Sequence, residues 1–190
     1  MYTTSIFLIV ISLWNFPLLA QDDYFSKDII DYNEVLNSNQ NEIYSLNKSE
    51  FDSLIKANKN QKFHLVYSFG TWCKPCVAFL PELLDWVKNN PSVKLYILNI
   101  EKDGNKKLQR VKDFLSEVHD FNANIFMVSE EYGKGRWKKY DAFVAEMAPG
   151  HKEYGMSLLL LYDKTEKLIY ASTYNETNED VLLRMPNKTN

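Results

Sequence analysis

The segment that most constrains this chain is a strand leading into a pair of cysteines. Phe63 to Phe69 (FHLVYSF) is dense in aromatic and β-branched residues, follows a polar Asn-Lys-Asn-Gln-Lys stretch and stops at Gly70, which predicts a central strand. Cys73-Lys74-Pro75-Cys76 comes directly after it. Beyond the second cysteine Val77, Leu80, Leu84 and Val87 recur at helical intervals, and Phe79, Leu83 and Trp86 widen that stripe. This predicts a helix covered on both faces and kinked at Pro81.

A dithiol at a strand-to-helix junction has a chemical consequence. The first sulfur sits where helix N–H groups converge, so the thiolate of Cys73 is favoured over the thiol and its pKa falls from about 8.5 toward neutrality. Lys74 acts in the same direction. Cys76, one turn further in, is expected to be buried and able to attack a mixed disulfide held on Cys73. Cys73 is the expected nucleophile and Cys76 the resolving thiol. Pro75 has no N–H and a preset φ, which suits a first helical turn.

Other roles for a Cys pair fit less well. The chain has only these two cysteines and three histidines, His64, His119 and His151, with no zinc-finger spacing among them. No metal or organic cofactor is implied. A structural staple closing so short a loop removes little unfolded-state entropy. Lys plus Arg number 22 against 25 Asp plus Glu, and the resulting net charge of −3 gives no reason to expect nucleic acid as a partner.

The 190-residue sequence as a whole reads as carrying one α/β domain. Residues 21–42 form a polar leader in which Ile29, Ile30, Val35 and Leu36 could pack on the domain edge, and the domain itself spans 43–190. Ile43 to Leu46 predicts a strand. Ser49 and Asp52 have capping-box spacing ahead of a helix that buries Phe51, Leu54 and Ile55. Val93 to Ile100 predicts a second long strand, and Leu108, Val111, Leu115 and Val118 mark an amphipathic helix. Ile125 to Val128, Trp137 to Met147, a hairpin of Leu158–Tyr162 with Leu168–Ser172, and a last helix capped by Asn178 complete the order. The basic run Lys134, Arg136, Lys138, Lys139 reads first as a solvated helix face and alternatively as a site for an acidic partner. His64 is expected to pack within its strand.

Residues 1–20 read as a signal peptide. Ile6 to Ala20 is apolar but shorter than the roughly 20 residues of a spanning helix, and Ala20 before Gln21-Asp22-Asp23 suits cleavage. Periplasmic or secreted localisation follows, without stable membrane insertion after cleavage. The alternative is an uncleaved anchor, because no Lys or Arg precedes the run and Leu18 occupies a position usually held by a small residue.

Phe69-Gly70-Thr71-Trp72-Cys73-Lys74-Pro75-Cys76 followed by Pro81 resembles the active-site segment of the thioredoxin superfamily, and is particularly similar to exported TlpA/ResA-like thiol-disulfide oxidoreductases. The resemblance extends over Glu42 to Met185. It implies a thioredoxin-like fold: a central mixed sheet flanked by helices, with a strand-helix insertion, here Asn124 to Met147, before the final β-hairpin. It also implies a reductase that takes electrons from a membrane-embedded thiol reductant and passes them to a disulfide-containing substrate protein. In some members that substrate carries haem-attachment cysteines. Trp72, Lys74 and Pro75, with Met156 and Ser157 opposite, are the expected substrate contacts.

The sequence departs from that pattern at three places. Ser157, preceded by Met156, stands where the family usually has a cis-proline, and a cis bond without proline costs about 2.5–4 kcal/mol, so a trans bond is expected. Tyr67 replaces a buried acid, and Phe79 replaces a glutamate that some members carry. The proton of Cys76 would then pass to water, Glu82 or Tyr67. A thiolate stabilised at Cys73 favours oxidant behaviour, whereas the resemblance favours reduction. Two other readings stay open: a non-catalytic partner-binding module on the same scaffold, and a thiol-dependent peroxide reductase.

Overall fold

The computed structural model describes residues 28–29, 31–37, 42–101, 105–118, 121 and 123–186. The expected signal segment, most of the polar leader and His119 lie outside them. Six strands form one mixed sheet: β1 (Ile43–Leu46), β2 (Phe63–Phe69), β3 (Val93–Asn99), β4 (Asn124–Val128), β5 (Leu159–Asp163) and β6 (Leu168–Ala171), in the order β1-β4-β3-β2-β5-β6. The first four run parallel, with Tyr67 opposite Ile97 and Ile125 opposite both Ile97 and Ile43. β5 joins β2 antiparallel, Leu161 opposite Leu65, and β6 closes the hairpin.

Parallel strands need crossovers, and helices fill both faces of the sheet. Alternation along β2 sends Leu65, Tyr67 and Phe69 to one face, where α3 (Lys74–Asn89), α4 (Asn105–Glu117) and α6 (Asn178–Arg184) cover them. Val66 points to the other face, with Tyr96, Leu98 and Leu160. There α1 (Tyr32–Asn37), α2 (Lys48–Ala57) and α5 (Arg136–Met147) supply Val35, Phe51, Phe143 and Met147. The strand-helix unit expected before the hairpin is β4 and α5. Its strand lies inside the sheet, hydrogen-bonded to both β1 and β3.

Several local expectations are corrected. The box that opens α2 is Asn47 with Glu50, not Ser49 with Asp52: Asn47 Oδ1 accepts the Glu50 N–H at 2.8 Å and the Glu50 carboxylate accepts the Asn47 N–H at 2.7 Å. Asn47 alone has the extended backbone a cap needs, while Ser49 is already within the first turn. Thr177, not Asn178, caps α6, in a reciprocal box with Asp180. α3 runs through Pro81, and one of its edges, with Ala78, Pro81, Glu82 and Asp85, is exposed rather than covered. Part of the expected leader enters the core: Val35 is buried, and its carbonyl accepts a hydrogen bond from Asn124 Nδ2 at 2.6 Å. Among the described residues no helix is long and apolar enough to cross a membrane.

His64 packs inside its strand as expected, fully buried, with Nδ1 3.0 Å from Tyr96 Oη and its ring stacked on that tyrosine. Burial holds its pKa down at about 4, with Lys94 adding to the depression and Asp163 opposing it. An unfolded chain would protonate this ring near pH 6.5, before the folded one does. Stability is therefore present above pH 6.5 and lost as pH falls toward 4, by about 3 kcal/mol for this group. Urea unfolding at pH 7, 5.5 and 4 should show this loss, and His64→Leu should flatten it. An unchanged pH slope in that variant would remove His64 as the cause.

Candidate active site

Strand β2 ends at Phe69, and a tight turn, with the Cys73 N–H donating to Gly70 O at 2.9 Å, leads into α3. A Cβ at Gly70 would stand 3.0 Å from the Trp72 indole, so a larger residue there would have to push that ring aside by a few tenths of an ångström. Cys73 is the N-cap of α3 and Pro75 lies in its first turn. The two sulfurs form a disulfide, Cys73–Cys76, and Cys73 Sγ also accepts the Cys76 N–H at 3.3 Å. That N–H and the end of a 16-residue helix both face the first sulfur, which is the arrangement that stabilises a thiolate once the bond is reduced. Cys76 is fully buried, as expected. Cys73 is also buried: with the disulfide formed it is only 5% exposed, and it lines a groove.

The groove has a volume of about 580 Å³, with Trp72, Lys74 and Pro75 on one side and Met156 and Ser157 on the other. All five residues expected to contact substrate therefore surround one opening. Phe79, Leu159 and Val181 form an apolar floor, and Tyr174 stands at the rim.

The loop opposite the disulfide contains no cis peptide, so the Met156–Ser157 bond is trans. Side chains hold it instead. Ser68 Oγ lies 2.7 Å from Met156 O and accepts the Leu158 N–H at 2.9 Å, and Tyr140 Oη lies 3.0 Å from Ser68 Oγ and donates to Gly155 O at 3.1 Å. Met156 O is 3.5 Å from Cys76 Sγ and would accept its proton in the thiol form. Tyr67 donates to Cys76 O at 2.9 Å. Its single proton is thereby used, so the 3.0 Å contact with Ser157 Oγ is a bond donated by the serine.

Neither residue suggested as a base for Cys76 fits that role. Burial raises the Tyr67 hydroxyl above its ordinary pKa, so it does not ionise near neutrality. Glu82 is on the exposed edge of α3, where its carboxylate meets Asn178 Nδ2 at 3.5 Å. The groove wall holds one carboxylate, Glu176, and its oxygens are already engaged by the Thr173 N–H, Tyr170 and Arg184. Phe79 packs edge-on against Tyr67.

Sequence reasoning missed Glu101. This buried carboxylate accepts the Thr71 N–H at 3.0 Å and the Thr71 hydroxyl at 2.6 Å, fixing the turn just before Cys73. It also missed Ser68 and Tyr140. Residues 72 or more positions apart meet here only because β2, α5 and the 155–158 loop converge, and no local pattern announces that.

A six-stranded mixed sheet with helices on both faces, and a Cys-x-x-Cys disulfide where its central strand feeds a helix, make a thioredoxin-like fold. Residues 42–115, from β1 through most of α4, match the Thioredoxin family model. Among solved structures the chain is similar to a thiol:disulfide interchange protein of the thioredoxin family from Chlorobium tepidum, at 18% identity over 67% of this chain and 80% of that one, with a TM-score of 0.46. It is also similar to a secreted disulfide oxidoreductase of Mycobacterium tuberculosis, at 15% identity over 66% and 82%, with a TM-score of 0.45. A third similar structure is StoA from Bacillus subtilis, at 19% identity over 66% and 83%, with a TM-score of 0.44. No curated protein sequence matches the chain.

Proposed function

We propose that this protein is an exported thiol-disulfide oxidoreductase that reduces disulfides in other proteins, with Cys73 as nucleophile and Cys76 as resolving thiol. The supporting observation is the Cys73–Cys76 pair at the start of α3, opening onto a groove bordered by Trp72, Lys74, Pro75, Met156 and Ser157.

In the reduced protein the Cys73 thiolate attacks one sulfur of a substrate disulfide, and the other substrate sulfur leaves as a thiolate. Cys76 then attacks Cys73 Sγ. The mixed bond breaks, the second substrate thiolate leaves, and the Cys73–Cys76 disulfide forms as two electrons pass to the substrate. Cys76 gives up its proton to water entering the groove, since Tyr67 stays protonated and Glu82 faces away. A membrane-embedded thiol reductant restores the dithiol. Residues 1–20 would direct export and be removed, leaving residues 21–42 as a leader to the 43–190 domain in a periplasmic or secreted protein.

Turbidity from insulin reduction tests this reading. The wild-type protein should accelerate it in the presence of a thiol reductant, and Cys73→Ala should fall to the uncatalysed rate. Equal rates for the two proteins would favour a non-catalytic module.

A further inference from the structure

Trp72 is a wall with two sides. One side borders the groove, and the other joins a cluster contributed by the start of α5. Trp137 meets Trp72 edge-to-face with ring centroids 5.8 Å apart, and the Arg136 guanidinium lies 4.9 Å from the Trp72 ring and 5.5 Å from the Trp137 ring. Both indoles remain exposed, at 41% and 48%, so this aromatic pair stands open beside the nucleophile rather than filling a core.

Arg136 is the cation seated on the pair, and the carboxylate close by, Glu101, is buried and engaged by the Thr71 N–H and hydroxyl. Lys74, Lys134 and Lys138 are exposed, and together with Arg136 they form no ion pair among the described residues. Arg136 Nε is buried and has no hydrogen-bond partner there. Lys139 behaves differently: it is buried against Glu130 at 2.7 Å, so the basic run expected to be one solvated face divides into a structural cation and a set of free ones. In a chain of net charge −3, a guanidinium held on the ring beside the reactive sulfur is a local feature and not a reflection of overall composition. The rings hold the Arg136 guanidinium in place, so a carboxylate arriving there would find a preorganised planar donor with little side-chain entropy left to lose.

We infer that this rim selects substrate proteins in which an acidic residue flanks the disulfide cysteine attacked by Cys73, the carboxylate docking at Arg136 against Trp72 and Trp137. The inference rests on the dithiol reading above and adds a substrate preference to it. Arg136 is a specificity residue, outside the electron-transfer step itself.

Three peptides with one internal disulfide, identical except for Glu, Gln or Lys beside the first cysteine, provide the test. With a thiol reductant restoring the dithiol after each exchange, the protein should turn over the Glu peptide with a kcat/KM about tenfold above the Lys peptide, the Gln peptide between them, and the difference should lie in KM. Raising the salt to about 0.5 M should shrink that ratio, because the contact is at the surface. Arg136→Gln and Arg136→Ala should bring the ratio close to one, and Arg136→Lys should restore part of it. Because the ratio is read within each variant, a general loss of activity cancels. Equal rates on all three peptides with wild type would overturn the inference and leave dithiol exchange standing, and so would a ratio that survives Arg136→Ala. No reduction of any peptide, with Cys73→Ala indistinguishable from wild type, would overturn both.

Discussion

Cys76→Ser should convert this protein from a turnover reagent into a trap. With Cys73 still able to attack, the first exchange goes to completion, but nothing in the groove can displace the captured substrate. The Tyr67 and Ser157 hydroxyls are already engaged, with Cys76 O and with each other, and a serine at position 76 is a far weaker nucleophile than a thiolate. Insulin-reduction turnover should fall by about 10³-fold, since removing a covalent participant leaves only binding and slow external rescue. A mixed disulfide of protein and substrate should accumulate and be visible on a non-reducing gel. Cys73→Ala should lose turnover without forming that species, because fully buried Cys76 cannot reach a protein disulfide. Trapping through Cys76 in the Cys73→Ala protein would reverse the assignment of roles.

The second large effect is on stability. Phe51 is completely buried on the face of the sheet away from the disulfide, edge-on to Tyr96 and Tyr162 with centroids 5.6 and 5.0 Å apart. Phe51→Ala removes a ring that anchors α2 to both the parallel and the antiparallel parts of the sheet and leaves a cavity there. The expected cost is about 3–5 kcal/mol, which for a chain of this size lowers the melting temperature by about 10 °C. Leu183→Ala on the outer face of α6, where the side chain is 68% exposed, should change stability by less than about 0.5 kcal/mol. Thermal melts of the oxidised proteins compare the two. Similar shifts would mean that the face holding α2 does not carry the stability assigned to it.

The Arg136 guanidinium held on Trp72 and the held 155–158 loop change how the departures from the family pattern look. Ser157 replaces a proline, yet Ser68, Tyr140 and Tyr67 fasten the trans loop through its carbonyls and hydroxyl. The loop thus faces the disulfide without the usual residue. Tyr67 stands where an acid is expected and binds the backbone of Cys76 instead of its proton. Among the described residues the loop is held in place while no carboxylate is hydrogen-bonded to Cys76.

Apart from α1, which falls inside the expected leader, the sequence alone determined the order of the main elements and the place of the chemistry. Period-2 and period-3.6 apolar patterns are local, so β2, β3, the buried face of α2 and the hairpin could be read directly, and the Cys pair could be placed at a helix start because strand, turn and stripe are contiguous. Cap positions slipped by one or two residues where several Asn, Ser and Thr compete, as at Asn47 and Thr177. Only the tertiary structure decided that β4 lies between β1 and β3, that Glu101 braces Thr71, that Ser68 and Tyr140 hold the loop, and that Arg136 rests on Trp72. Each of these is a meeting of residues distant in the chain. Such contacts arise from how the packed layers bring elements together, and no periodicity within a single segment encodes them.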